Sequence, residues 1–312
     1  MNRLVAIVGP TGIGKSELAI HLARAFDGEI VSADSRQVYR HMDIGTAKPI
    51  QDEMSLIPHH LVNIIAPDED FGLAQYQQQA CKAISDIQRR NKTPLLVGGS
   101  GLYIWSVLEG WGIPKVPPDP EFRHKLEEKA ARAGKEELYR ELAKVDPVAA
   151  QRIDPRNLRR TIRALEVHRG TGAPISQLYH KKTPQFDTVI IGLTADRVEL
   201  YRRIDLRVDR MIEQGLVEEM KTLVKKDYDS DLPSMSGIGY RQIGMYLNGE
   251  TTLAAATQQI KFETHRFVRH QYNWFRLKDI RIKWFDIQTE PKPKITTLLA
   301  RFSQRGQIAS IT

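Results

Sequence analysis

The sequence predicts an α/β fold, in which a parallel sheet flanked by helices is interrupted by an all-helical insertion. Residues 4–8 are apolar and mostly β-branched, as in a buried strand, and a glycine-rich loop and a helical pattern at residues 17–26 follow them. Residues 121–170 are helical in pattern and contain no convincing strand. Strands and helices therefore alternate in the N-terminal and C-terminal parts of the chain, which we expect to form a core, but not in the middle of the chain. The further strand-like runs of the core are residues 29–32, 93–97 and 189–193.

The boundaries of the insertion are indicated by composition. The proline-rich run at residues 114–120 predicts a break between domains, and a loop with glycine and prolines ends the helical region before the strand pattern returns. We therefore expect residues 1–114 and 186–312 to form the sheet-containing core with C-terminal helices. Residues 115–185 form the predicted helical insertion.

The other helices of the core are indicated by apolar residues at helical spacing. One helix is expected over residues 72–90, and a single long one over residues 197–225. A basic, aromatic stretch at residues 261–278 predicts another helix, and residues 290–312 predict a polar tail with one short helix at most. Most aromatic side chains of the basic stretch are expected in the core, as aromatics at helical spacing usually are: Phe262, Phe267, Tyr272, Trp274 and Phe275.

The loop after the first strand fits the pattern G-x-x-x-x-G-K-[ST] of phosphate-binding loops, including those that bind ATP. Its glycines let several backbone N–H groups point into one concavity, and the following helix adds a partial positive charge. Lys15 supplies a full charge, and Ser16 a hydroxyl for a phosphate-bound Mg²⁺. The core is thus P-loop NTPase-like and binds a di- or triphosphate. The loop residues are Gly9, Pro10, Thr11, Gly12, Ile13, Gly14, Lys15 and Ser16.

The acidic residue that usually accompanies this loop is missing. In P-loop ATPases and GTPases a later strand ends in an acid that helps to hold Mg²⁺. Here one strand runs into Gly98, Gly99 and Ser100, and the strand at residues 189–193 also ends without an acid. The loop is therefore present without evident hydrolysis machinery.

Asp34 follows the second predicted strand directly. Ligands of open α/β sheets bind beyond the carboxyl ends of the strands, so we expect Asp34 to face the phosphate loop. An aspartate before a helical turn is also a good N-cap. Position alone leaves both interpretations open.

Basic charge is concentrated in two segments of a chain with a net charge of +8 and a pI of about 9.4. Residues 115–185 carry a net +6 and residues 261–283 a net +5, which favours a polyanionic partner such as nucleic acid. Arg156, Arg159, Arg160 and Arg163 have the spacing of one helix face. They could bind phosphates or pair with acids such as Asp154 and Glu166.

The remaining features exclude several classes of protein. The single cysteine, Cys81, excludes an internal disulfide, favours a reducing compartment and is expected to be buried. The adjacent His59 and His60 make a poor metal site, because neighbours on a strand point to opposite faces. No apolar run of about 18 residues could span a membrane, and no leader pattern precedes the first strand. We expect a cytoplasmic monomer.

Motifs spread over residues 4–278 resemble the bacterial tRNA dimethylallyltransferases, also called tRNA isopentenyltransferases. Two departures from the family pattern are small: Ser100 stands where threonine is common, and His270 where arginine is common. The matching motifs are G-P-T-x-x-G-K-S at residues 9–16, D-S-R-Q-V-Y at 34–39, M-D-I-G-T-A-K-P at 42–49, G-G-S-G-L-Y at 98–103, R-A-L-E-V at 163–167, G-Y-R-Q at 239–242 and Q-Y-N-W-F-R at 271–276.

The resemblance implies transfer of a dimethylallyl group from its diphosphate to the exocyclic amine (N6) of the adenosine on the 3′ side of the tRNA anticodon. The phosphate loop, with Lys15 and Mg²⁺, would hold the leaving diphosphate, and Arg207 best matches the family arginine that contacts it. Asp34 matches the base that takes the proton from the amine. The resemblance assigns contacts with the anticodon stem-loop to Asp34, Ser35, Arg36, Gln37, Ser100, Arg123, Arg156, Asn157, Leu158, Arg159 and Arg160.

Two rival classes share the phosphate loop. A small-molecule kinase would bind ATP and would have no need of a basic helical insertion. A non-enzymatic RNA-binding protein would hold a nucleotide for structural reasons only. Labelled dimethylallyl diphosphate or labelled ATP, supplied with bulk tRNA, would separate the three.

Overall fold

The chain divides into two compact units. The computed structural model describes residues 2–181 and 185–304. The first unit consists of Met1–Leu108 and Gln185–Thr312, and the second is Glu109–Pro184, which starts ahead of the expected boundary at residue 115. The strands are β1 (Arg3–Val8), β2 (Gly28–Ala33), β3 (His59–His60), β4 (Thr93–Gly98), β5 (Trp111–Gly112), β6 (His180–Lys181), β7 (Asp187–Thr194) and β8 (Ile282–Asp286).

Helices cover most of the remaining described chain. The first unit also contains a 3₁₀ turn, Ile287–Thr289. The helices are α1 (Lys15–Ala25), α2 (Gln51–Leu56), α3 (Leu73–Arg89), α4 (Gly101–Leu108), α5 (Pro120–Ala133), α6 (Lys135–Val145), α7 (Pro147–Arg152), α8 (Leu158–Thr171), α9 (Ile175–Leu178), α10 (Arg197–Glu213), α11 (Leu216–Lys225), α12 (Tyr240–Leu247), α13 (Leu253–Trp274) and α14 (Lys292–Gln304). No described helix has the length and apolar character that a membrane crossing needs.

The first unit is built on a six-stranded sheet in the order β3-β2-β4-β1-β7-β8, with every neighbouring pair parallel. The predicted α/β class with a parallel sheet is therefore confirmed. β1 is central and buried after its first residue, as its run of apolar residues predicts. In register, Gly98 pairs with both Val8 and Ala33, so β1, β2 and β4 end at the same edge. The segments that follow these three strands consequently lie side by side.

Over its described residues, 109–181, the second unit has helices and the two-residue antiparallel pair β5–β6. Its core consists of leucine, isoleucine and alanine side chains from α5 to α8. A buried carboxylate, Glu166, also lies inside it and accepts hydrogen bonds from the Arg123 guanidinium and the Asp119 N–H group. Burial alone would raise the pKa of Glu166, but these hydrogen bonds and one from Arg163 lower it. The carboxylate thus ties the start of α5 to α8.

Several expectations about the core are wrong in detail. The helix expected over residues 197–225 is two helices, because Gly215 takes the left-handed conformation between α10 and α11, with φ 99°. β8 and the tail helix α14 are both regular, although the sequence pattern of neither element is strong. Residues 305–312 of the expected tail lie outside the described residues. Cys81 is half-buried.

The aromatic residues of α13 also depart from expectation. Phe262, Phe267 and Trp274 are exposed, whereas Phe275, just after the helix, is buried. These three aromatic side chains are exposed because the buried face of α13 consists of smaller or polar side chains. This buried face consists of Ala256, Ile260, Val268 and Gln271.

Candidate active site

The phosphate loop joins β1 to α1 as the sequence predicts. β1 ends at Val8, and α1 begins at Lys15, preceded by Gly14 in the left-handed conformation. The Lys15 ammonium donates a hydrogen bond to the Pro10 carbonyl oxygen at 2.7 Å, so it is held over the loop. Ser16, the next residue, is exposed at the start of the helix. Loop and helix therefore present a cation, a hydroxyl and a helix N-terminus together, which suits a phosphate group.

Arg207 and Asp34 lie close enough to Lys15 for their charges to act on the pKa of its ammonium. Burial, together with the charge of Arg207, lowers the pKa of Lys15 to about 7, and Asp34 acts in the opposite direction. Burial also lowers the pKa of Arg207, which Asp34 again opposes. Lys15 and Arg207 are both half-buried, and two such cations beside a single carboxylate form a site that favours a further anion.

These three residues line two cavities in the first unit. The first, of about 440 Å³, is lined by Ser16 and by arginines of α10. The second, of about 320 Å³, has Ser35 and Ser100 on its wall, with apolar side chains of α10 and α13. Thr11, Lys15, Asp34 and Arg207 belong to both linings. The two cavities thus meet at the cations and the carboxylate.

Arg207 is the arginine of α10 that belongs to both cavities. Arg202, Arg203 and Arg210 line only the first. The Arg202 guanidinium is held by Glu199 through two hydrogen bonds of 2.7 and 2.8 Å. Of these four arginines, Arg207 is therefore the one that lines both cavities together with Lys15 and Asp34.

Asp34 follows β2 directly and lies beside the phosphate loop, as expected from the sheet edge. Its Oδ1 accepts a hydrogen bond of 2.8 Å from the Arg36 N–H group. Asp34 therefore caps the turn that follows β2, as the capping interpretation expects, although no α-helix begins there. Its Oδ2 accepts no hydrogen bond within residues 2–181 and 185–304 and remains available to a ligand.

The neighbours of Asp34 connect the walls of the cavities. Ser100 Oγ accepts a hydrogen bond from the Ser35 N–H group at 3.1 Å. The Arg36 guanidinium donates to the carbonyl oxygens of Pro233 and Ser234 at 2.8 and 3.1 Å. Gln37 accepts a hydrogen bond from the Ser32 hydroxyl at 3.0 Å. Ser35, Arg36 and Ser100 line the second cavity, whereas Gln37 lines the first.

The arginines of the second unit are placed differently from the expected single helix face. α8 begins at Leu158, and Asn157 is its N-cap, accepting from the Arg160 N–H group at 3.2 Å, so Arg156 lies before the helix. Arg156 pairs with Asp154 at 2.8 Å, and Arg163 pairs with Glu166.

Arg156 and Arg163 therefore form ion pairs with acidic side chains of the protein, and Arg123 also forms an ion pair with Glu166. Arg159 and Arg160 are exposed, and their side chains form no ion pair with any described residue. They are the two arginines of this helix that are left for an external anion.

The histidine pair supports no metal site. His60 Nε2 lies 2.8 Å from Glu29 Oε2, and His59 Nδ1 bonds the Ile57 carbonyl oxygen at 2.7 Å. Within residues 2–181 and 185–304, no group of three His, Cys, Asp or Glu side chains could hold a metal ion.

Two structural contacts of the site were not identified from the sequence, although each involves one of its motifs. Gln271 contacts the phosphate loop at Thr11. Glu219 accepts hydrogen bonds from the N–H groups of residues 43–45, inside the M-D-I-G-T-A-K-P run. The first contact joins two of the motifs, and the second joins a motif to Glu219, which lies outside all of them. Neither pairing could be predicted from the patterns, because the partners lie far apart in the chain.

The comparisons with known proteins agree with one another. A family model described as IPP transferase matches residues 37–278. The chain is 53% identical over 276 residues to a tRNA dimethylallyltransferase of Roseiflexus castenholzii, a match that covers 88% of this chain and 90% of the relative. It is 50% identical over 303 residues to a tRNA dimethylallyltransferase of Dehalococcoides mccartyi, covering 97% and 93%.

Solved structures point the same way. The full-length tRNA isopentenylpyrophosphate transferase of Bacillus halodurans aligns with a TM-score of 0.72 at 39% identity, covering 99% of this chain and 100% of that one. A eukaryotic dimethylallyltransferase acting on tRNA aligns with a TM-score of 0.77 at 28% identity, covering 92% and 74%. With most of the chain matched by the family model and by curated relatives, this protein belongs to the IPP transferase family.

Proposed function

We propose that this protein is a tRNA dimethylallyltransferase. It transfers the dimethylallyl group of dimethylallyl diphosphate to the N6 amine of the adenosine that follows the anticodon on its 3′ side. The observation that carries this proposal is the meeting of Lys15, Arg207 and Asp34 where the two cavities join, in a chain of this family. Two cations and a phosphate loop suit a leaving diphosphate, and the carboxylate beside them suits an amine that must lose a proton.

The cations stabilise the leaving group. As the allylic C–O bond breaks, the carbon becomes cationic and negative charge accumulates on the diphosphate. Lys15, Arg207 and the N–H groups of the loop lie where that charge develops, so they stabilise the transition state more than the ground state. Burial strengthens this effect, because the same charges interact more strongly away from water.

The residues present also fit a diphosphate-bound Mg²⁺. Mg²⁺ is commonly held by one or two protein oxygens together with phosphate oxygens and water, so a full set of protein ligands is not required. Ser16 offers a hydroxyl at the start of α1, beside Lys15. When bound there, the ion would supply further charge neutralisation to the diphosphate.

Asp34 is proposed to take the proton from the amine. An exocyclic adenine amine is a weak nucleophile, because its lone pair is delocalised into the ring, and it becomes acidic as the new C–N bond forms. Asp34 Oδ1 is committed to the Arg36 N–H group at 2.8 Å. The other oxygen can accept the proton while the turn keeps the carboxylate in place.

The tRNA is proposed to bind both units. Arg159 and Arg160 of α8 contact its phosphates, with Arg123, Arg156, Asn157 and Leu158 nearby in the same unit. Ser35, Arg36, Gln37 and Ser100 surround the target nucleotide in the first unit, after it leaves its stack in the anticodon loop. The protein works as a monomer in the cytoplasm under this proposal.

Labelled substrates test the activity. The protein, bulk tRNA and Mg²⁺ are incubated with dimethylallyl diphosphate labelled in the prenyl group, or with ATP labelled in the γ-phosphate, and the tRNA is digested to nucleosides. We expect the prenyl label on N6 of adenosine, and we expect Lys15→Ala to abolish the transfer. Tight, Mg²⁺-dependent ATP binding with movement of the γ-label would instead support a kinase.

A further inference from the structure

One side chain, Gln271 of α13, joins two loops on the wall of the second cavity. Its Oε1 accepts a hydrogen bond from the Thr11 N–H group at 2.9 Å, and its Nε2 donates to the Gly99 carbonyl oxygen at 3.0 Å. Gln271 is 3% exposed. Thr11, Gly99 and Gln271 all line the second cavity. The bridge is therefore part of the site and not of a remote core.

Both ends of the bridge are specific to an amide. The Thr11 N–H group requires an acceptor and the Gly99 carbonyl a donor, and a glutamine side chain offers one of each. A carboxylate would place an oxygen against the Gly99 carbonyl, and an apolar side chain would leave both backbone groups without their partners. The space is also closed, because a Cβ atom on Gly99 would lie 2.2 Å from Gln271 Nε2.

The two loops act on different substrates of the proposed reaction: one binds the diphosphate and the other receives the amine. Thr11 belongs to the phosphate loop that ends at Lys15. Gly99 precedes Ser100, whose hydroxyl accepts a hydrogen bond from the Ser35 N–H group next to Asp34. We propose that Gln271 is a positioning residue, which fixes the distance between the phosphate loop and the Asp34 loop so that the allylic carbon meets the amine.

This inference rests on the proposed function and predicts a definite fault when the bridge is broken. A misplacement of about 1 Å between reacting groups can slow a reaction about 10²-fold. The diphosphate can still leave, and water then takes the place of the amine. The allylic C–O bond breaks, a new C–O bond forms to the water oxygen, and the proton goes to solvent, which gives dimethylallyl alcohol and diphosphate. The ratio of alcohol to modified tRNA therefore reports the position of the two loops.

The test compares Gln271→Glu and Gln271→Leu with Gln258→Glu, an exposed glutamine on the same helix. Transfer and alcohol release are measured in single turnovers with saturating dimethylallyl diphosphate and tRNA. Dissociation constants are measured for inorganic diphosphate and for tRNA. For both Gln271 variants we expect transfer to fall about 10²-fold and the ratio of alcohol to modified tRNA to rise at least about 10-fold. Both dissociation constants should stay within about threefold in Gln271→Leu, whereas the added carboxylate of Gln271→Glu should also weaken diphosphate binding. Gln258→Glu should behave as the wild type.

Gly99→Ala attacks the bridge from its other end and covers the case in which a Gln271 variant does not fold. It should shift the ratio in the same direction, in a protein whose circular dichroism and Tm remain near the wild type. The inference is overturned if every folded variant gives the wild-type ratio of alcohol to modified tRNA. It is also overturned if transfer in Gln271→Leu falls only in proportion to weakened diphosphate binding. A wild-type protein that leaves the prenyl label on the donor overturns the proposed function and this inference with it.

Discussion

The Tyr240 hydroxyl donates a hydrogen bond to Glu219 Oε1 at 2.7 Å, and this pair holds the loop that follows Asp34 and its neighbours. The same carboxylate accepts from the N–H groups of Asp43, Ile44 and Gly45 at 2.7 to 3.1 Å. Burial, together with the charge of Glu219, raises the pKa of Tyr240, so the phenol stays protonated and keeps donating. A carboxylate from α11 thus acts as a fixed anion in a concavity of backbone N–H groups.

Tyr240→Phe removes one donor from this carboxylate and leaves the three N–H groups in place. We expect the free energy of unfolding to fall by about 1 kcal/mol. Glu219→Ala leaves all four donors without their acceptor, so a larger decrease of about 2–4 kcal/mol is expected. Urea unfolding curves measure both, and equal decreases in the two variants would contradict this view of Glu219.

The Lys15 side chain should lower the free energy of unfolding of the protein. Its pKa is about 7 in the folded protein and 10.5 in the reference state, so the unfolded chain binds the proton more tightly. The cost is complete below pH 7 and fades as the pH rises towards 10.5. Lys15→Met should therefore raise Tm, by an amount on the order of 4 °C at pH 6.5 and by less at pH 9.5. Thermal unfolding at the two pH values tests this; a gain in Tm that does not shrink at pH 9.5 contradicts the lowered pKa of Lys15.

Binding of inorganic diphosphate should take up a proton above pH 7. The pKa of Lys15 is about 7 in the free site, and an anion beside it favours the ammonium form and raises the pKa. At pH 8 we therefore expect proton uptake, and an affinity that falls between pH 7 and 9. Calorimetry in buffers of different ionisation enthalpy measures the uptake. Lys15→Met, which has no ammonium, provides the control and should lack this part of the proton uptake.

Much of the fold could be predicted because its signals are local. β1, the phosphate loop and α1 are consecutive, and each has a residue pattern that determines its own structure. β8 escapes prediction because it lies at the edge of the sheet, where only Ile282 is buried and Lys283 and Asp286 interrupt the apolar pattern.

The site could be predicted only in part, because its partners are distant in the chain. The edge rule for parallel sheets brings Asp34 to the phosphate loop. No pattern shows that Gln271 reaches Thr11, 260 positions away, or that Glu219 holds the loop at Asp43, 176 positions away. The break at Asn157 is also invisible in the arginine spacing, because a cap changes the helix start without changing the period.

Arg159 and Arg160 should account for much of the salt dependence that the second unit contributes to tRNA binding. Arg159→Ala with Arg160→Ala should reduce the salt slope of log K by up to about 0.7–0.9 for each phosphate that is no longer neutralised, while kcat at saturating tRNA changes much less. Lys135→Ala with Lys144→Ala removes the same charge from exposed positions on α6 and serves as the control. If both pairs change the slope equally, the effect is one of net charge and the tRNA phosphates bind elsewhere.

The role of Asp34 can be separated from its structural contact because asparagine preserves the contact. In Asp34→Asn, Oδ1 can still accept the Arg36 N–H group, so the turn should remain, and donor affinity should be nearly unchanged. The variant has no carboxylate to take the amine proton, so kcat should fall by about 10²–10⁴-fold. A carboxylate that instead positions Mg²⁺ would show weakened diphosphate binding and partial rescue at high Mg²⁺. Rapid-quench measurement of transfer, with titrations of Mg²⁺ and of inorganic diphosphate, distinguishes the two, and a near-normal kcat would exclude Asp34 as the base.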